Sequence, residues 1–175
     1  MHKLVVLAFV AACAPSAAEL NTARATTYKA PPATLFGAMK ATTADSYTIA
    51  GADEAQLVVQ TQATWYTPEG QVDTMVGDNL ARLQDNSINF AVIVRLVKTT
   101  GDSYAVSVEP IALRLHGLGS KAERVDPSDP DVPGWVKGKV ASLEMSLHRA
   151  LKGYATTGAT VPAVVAPGSG SSAPH

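Results

Sequence analysis

The chain predicts an α+β domain in which an antiparallel sheet of about four strands packs against two helices, in the order α-β-β-β-β-α. Three observations predict it. Alternating apolar residues run on either side of a polar turn between Tyr47 and Trp65. A second alternating pair, Ser87 to Lys98 and Ser103 to Leu115, is joined by Thr99-Thr100-Gly101-Asp102. Segments of helical period flank both pairs.

The first helix follows Pro31-Pro32, since proline suits the first helical turn, and Leu35, Phe36 and Met39 then share one face as far as about Thr42. Tyr47 and Ile49 open the sheet before the turn Gly51-Ala52-Asp53-Glu54. Leu57, Val59, Thr61, Ala63 and Trp65 continue it at period two, as an antiparallel partner. Thr67-Pro68-Glu69-Gly70 carries turn chemistry and opens a long loop to Asn86, within which Asn79 to Leu83 suit a single helical turn.

Ser87 to Lys98 has Ile88, Phe90, Val92, Val94 and Leu96 on one face, and Ala91, Ile93 and Val97 on the other. A strand apolar on both faces belongs at the centre of a sheet. Its partner contains Pro110, which lacks an amide donor and so demands a bulge or an open edge. After a connector carrying Pro127, Pro130 and Pro133, a second helix starts near Asp131 to Pro133, with the Asp131 carboxylate placed to cap it. Val136, Val140, Leu143, Leu147 and Leu151 form its apolar face, and Gly153 ends it.

The ends read differently. Lys3 followed by the apolar run Leu4 to Ala12 has the layout of a bacterial secretory signal, and the run is far short of the ~20 residues that span a bilayer as a helix. Val10-Ala11-Ala12-Cys13 then resembles a lipobox, whose cysteine thiol receives a diacylglyceryl group while the preceding peptide is removed. The other cleavage site of suitable composition follows Ser16-Ala17-Ala18 and would give plain secretion. The expected organisation is therefore a signal peptide at 1–12, a flexible tether at 13–30, one domain at 31–154 and a disordered Gly/Ser/Pro/Ala-rich tail at 155–175.

The 175 residues are 46% hydrophobic and 17% charged, which suits one domain with a real core. There are 14 basic residues against 15 acidic, and removal of Lys3 leaves 13 against 15. That balance does not favour nucleic acid, which calls for a basic face. With Cys13 committed to lipid, the mature chain has no thiol for a disulfide or a zinc site.

No catalytic constellation stands out, and no cofactor is implied. His116 and His148 lie in unrelated elements without a second histidine at ligand spacing. Glu123, Asp126, Asp129 and Asp131 form an acidic connector that lacks the glycine and closing glutamate of a calcium loop, and so reads as a solvated turn. His116-Gly117-Leu118-Gly119-Ser120-Lys121 has the wrong spacing for a phosphate-binding loop. The candidates for partner binding are Trp65, Tyr66 and Trp135, large aromatics at element ends, where both interface anchors and core caps occur.

The lipobox cysteine, a polar linker, a helix with Leu35-Phe36, then Ser46-Tyr47-Thr48-Ile49 and a strand closing on Thr64-Trp65 resemble the small domains of outer-membrane-assembly accessory lipoproteins of the BamC (NlpB) type. The resemblance spans about Pro31 to Tyr154 in element order, with one such domain here against two in that family. It implies a non-enzymatic interaction module, anchored by lipid at Cys13 to a membrane, most simply the outer one facing the periplasm, and working with an envelope protein partner. The alternative is a periplasmic small-molecule or lipid-binding lipoprotein. The two differ in expectation: an exposed patch around Trp65 and Tyr66 for the module, unfilled space between Phe90, Val92 and Leu143 for the carrier. An enzyme would need His116 or His148 to meet a carboxylate in a cleft.

Overall fold

The computed structural model describes residues 15–73, 83–117, 121–126 and 129–156. Among them are three α-helices and a mainly antiparallel sheet, so the α+β class and the helix-covered antiparallel sheet hold. The strands number eight rather than about four.

The predicted core of the sheet is there. β2 (Ile49–Asp53) pairs with β3 (Val58–Thr61), β3 with β5 (Ile88–Lys98), and β5 with β6 (Tyr104–Arg114) along its whole length, all antiparallel. β5 is central, and its inward side chains Ile88, Phe90, Val92, Val94 and Leu96 are each 5% exposed or less. Two helices, α2 (Pro32–Ala44) and α3 (Gly134–Leu151), cover that face with Leu35, Phe36 and Met39 and with Val136, Val140, Leu143, Leu147 and Leu151. Each such side chain contributes roughly 1.5–3 kcal/mol by leaving water.

The additional strands have two origins. First, the strand expected to run on to Trp65 is interrupted at Gln62-Ala63, which separates β3 from β4 (Thr64–Tyr66). Gln60 faces Ile93 but Thr64 faces Phe90, so three residues on one strand oppose two on the other. Inside this bulge the Thr61 hydroxyl accepts the Val92 amide at 2.8 Å, and the Gln62 amide donates to the Thr48 carbonyl. A single extra residue reverses the alternation beyond it.

Second, two-residue strands complete the far side of β6. β1 (Thr27–Tyr28) and β8 (Ala155–Thr156) pair with each other, and β1 pairs with β6. β7 (Glu123–Arg124) pairs with the other end of β6. Pro110 lies between these two pairings and faces Val92 of β5 in regular register, so it occupies an open stretch of edge rather than a bulge.

The flexible tether expected over 13–30 is corrected from Pro15 onward. Ala17–Ala25 form α1, with Ser16 as N-cap. Its hydroxyl accepts the Glu19 amide, and the Glu19 carboxylate accepts the Ser16 amide at 2.9 Å, a reciprocal capping box that satisfies helix-end donors. A nine-residue helix is marginal alone, and packing against α3 holds this one. Ala23 is buried, and Arg24 donates to Glu144 from both Nε and Nη2 at 2.9–3.1 Å.

The domain therefore reaches beyond the predicted 31–154 at both ends. Lys29 donates to the Tyr154 carbonyl at 2.8 Å, and the Thr27 and Thr156 hydroxyls lie 2.6 Å apart, so the two ends are tied side by side. Of the predicted tail, Ala155–Thr156 is strand and 157–175 lies outside the described residues. The signal peptide and Cys13 also lie outside them, as does the predicted helical turn except for Leu83, which is buried. Among the described residues no helix is long and apolar enough to cross a membrane.

Candidate functional site

The bulge at Gln62-Ala63 decides what becomes of the three aromatic candidates. Beyond it Tyr66, not Trp65, points to the helix-covered face, where it is 6% exposed and meets Phe90 edge-on at 6.2 Å between centroids. Trp65 turns to the opposite face of the sheet and packs against Leu83 and Leu115. The exposed patch expected around Trp65 and Tyr66 is therefore absent, because one residue is core and the other sits in a separate cluster.

Tyr66 and Trp135 do come together. Their rings lie 5.1 Å apart, and the Trp135 Nε1–H donates to the Pro68 carbonyl at 2.9 Å, which ties α3 to the turn after β4. Gly70 in that turn has φ +89°, and a β-carbon there would fall 2.5 Å from Trp135 Cγ. Glycine is thus required for both conformation and space. Lys139 stands 4.5 Å over the Tyr66 ring, a cation–π contact. Burial, joined by the repulsion that an ionised Tyr66 would exert, pushes the Tyr47 phenol up to about 12, and burial also raises that of Tyr66. These groups stay neutral and hold the elements together.

An apolar concavity lies elsewhere, in the helix layer over the open stretch of β6. It is a groove of about 790 Å³, within the roughly 300–1,000 Å³ of small-molecule sites. Val108 and Pro110 form its floor, Val132, Val136, Val140 and Ala141 one wall, and Pro15 and Leu20 of the α1 segment the other. Arg24, Lys137 and Glu144 supply charge at the rim. The groove lies on the side of the α1 segment that carries Pro15, Leu20 and Arg24, while Ala18, Glu19 and Thr22 lie beside Met145, His148 and Arg149 of α3. Pro15, Leu20 and Arg24 lie in the segment whose composition predicts a linker; the spacing Ser16-x-x-Glu19 is the sequence signal that points to a helix there.

Phe90, Val92 and Leu143 are each 2% exposed or less within one packed cluster, so the space expected of an interior carrier is filled. The two histidines have ordinary partners. His148 Nδ1 lies 2.9 Å from the Tyr28 hydroxyl, whose pKa burial pushes up to about 12. His116 Nε2 meets Glu123 at 3.4 Å, both at least half exposed at the end of the sheet.

Asp131 does not cap α3, whose N-cap is Pro133 without a side-chain bond. The Asp129 carboxylate instead accepts the Asp131 amide at 2.8 Å within the turn. Among the described residues no group of three or more His, Cys, Asp or Glu is placed to hold a metal ion. Of the glycine-containing stretch 116–121, residues 118–120 lie outside the described residues.

No family model matches the sequence, and no curated protein aligns with it.

Proposed function

We propose that this chain is a lipid-anchored protein of the bacterial cell envelope, held through Cys13 to a membrane, the outer one on its periplasmic side, with a domain that acts as a non-catalytic binding module. The observation that carries the reading is the capping box at Ser16. Signal cleavage after Ala18 would remove Ser16, Ala17 and Ala18, taking the cap and the first helical residues from α1, whereas cleavage before Cys13 leaves the helix whole. Loss of such a cap costs ~1 kcal/mol. The lipobox-like Val10-Ala11-Ala12-Cys13 fits the second site.

With α1 capped three residues after Cys13, little slack separates anchor from domain, at most about 11 Å of extended chain. The domain then works at the bilayer surface, in keeping with the resemblance to BamC (NlpB)-type lipoproteins and with an envelope protein as partner. Crosslinking in intact cells, then detergent extraction and identification of what co-purifies, tests this reading. Envelope proteins recovered with the wild type and lost with Cys13→Ser are expected; Cys13→Ser protein that stays in the membrane fraction would overturn it.

The apolar groove favours a second reading, a lipid-binding lipoprotein, whose site is that surface groove and not the sheet interior.

A further inference from the structure

We propose that the groove between α1, α3 and β6 holds an acyl chain of Cys13 of the same molecule while the protein is away from a bilayer. The inference rests on the reading of Cys13 as lipidated.

The chemistry of the lining comes first. Val108, Pro110, Val136, Val140 and Leu20 give the groove apolar side chains that an alkyl chain can contact, and its polar members are Lys137, Ser142 and the mutually paired Arg24 and Glu144. The second observation is the point of origin. Pro15 lines the groove, and Cys13 precedes it by two residues, so no more than about 7 Å of extended chain separates the lipid-bearing residue from a residue of the lining. The attachment point stays close, since buried Ala23 and the two-nitrogen grip of Arg24 on Glu144 dock α1 on the domain and the capping box keeps the helix ordered as far as Ser16.

The third is energetic. Every methylene removed from water lowers the free energy, so a chain left in water is driven into the nearest apolar surface, and here that surface starts near its own root. A bilayer offers the same gain without restricting the chain. Insertion therefore empties the groove and opens it at the membrane surface, where a partner can use it. Anchoring and binding become coupled through one site.

The test uses the full chain, with p-benzoylphenylalanine replacing Lys137, an exposed residue that lines the groove. The protein is purified from membranes, freed of detergent, and irradiated with and without phosphatidylcholine vesicles. Isotope-labelled and unlabelled copies are mixed, and the digest is analysed by mass spectrometry. The expected product joins the residue-137 peptide to an acyl chain on the Cys13 peptide of the same copy, and is lost when vesicles are added. An adduct to vesicle phospholipid, an adduct between copies, or no lipid adduct despite acylated Cys13 would overturn the groove proposal and leave the anchor reading standing. A Cys13 peptide without acyl mass would overturn both. The same probe at Ala141 repeats the measurement if the first variant loses its native circular dichroism.

Discussion

Arg24 and Glu144, 120 residues apart in sequence, form a two-nitrogen pair in which Nε lies 3.0 Å from Oε1 and Nη2 lies 2.9 Å from Oε2. The pair joins a helix read from sequence as linker to the principal helix of the domain, and it closes one end of the apolar groove. Arg24 is half exposed, so its worth is that of a well-formed surface pair.

Replacing Arg24 by Ala should cost about 1 kcal/mol of stability. Its larger effect should be local: amide hydrogen exchange rises over Leu20–Ala25 while the α3 amides around Leu147 stay protected. Equal protection of α1 in variant and wild type would mean that the pair does not hold the helix.

Gly70→Ala should destabilise by about 1–3 kcal/mol, because the added methyl meets the Trp135 ring in a backbone conformation that β-carbons disfavour. Urea denaturation followed by tryptophan fluorescence measures it. A cost near zero would show that the turn after β4 is free to move off α3.

Tyr28 and Tyr47 set the alkaline limit. Burial raises both phenols to about 12, above the ~10 of the unfolded chain. A pKa raised on folding contributes stability that is complete below the unfolded value and disappears as pH climbs through the folded one. Denaturation midpoints should therefore be insensitive to these groups below about pH 10 and fall between about pH 10 and 12. In Tyr47→Phe the fall should be shallower, and an unchanged slope would remove Tyr47 from the account.

Leu143→Ala should cost roughly 2–5 kcal/mol, since the side chain is 2% exposed at the centre of the α3 face packed on the sheet. Chemical denaturation gives the value, and a negligible loss would contradict the register of α3.

The parts of this fold that could be read from the sequence are those with enough residues to establish a period. β5 and β6 show their alternation over eleven residues each, and α3 repeats its apolar positions from Val136 to Leu151. The two-residue strands β1, β7 and β8 have no period to read: β1 and β7 pair with the open side of β6, and β8 pairs with β1. The bulge at Gln62-Ala63 escaped for a different reason. The contact that marks it, the Thr61 hydroxyl accepting the Val92 amide, is long-range, and beyond it Tyr66 and Trp65 exchange faces.

The candidate site was legible only in fragments. Val136 and Val140 belonged to a predicted helix face and Pro110 to a predicted edge, yet their meeting depends on where α1 packs. The composition of Ala17–Ala25, rich in Ala with Thr and Asn, concealed a helix that the Ser16 and Glu19 side chains start and Arg24 docks.

The intact mass of the protein extracted from membranes tests the lipidation of Cys13 most directly. The prediction is a chain that begins at Cys13 and carries the added mass of a diacylglyceryl group. A soluble chain that begins at Glu19 without lipid, or one that retains residues 1–12, would contradict it.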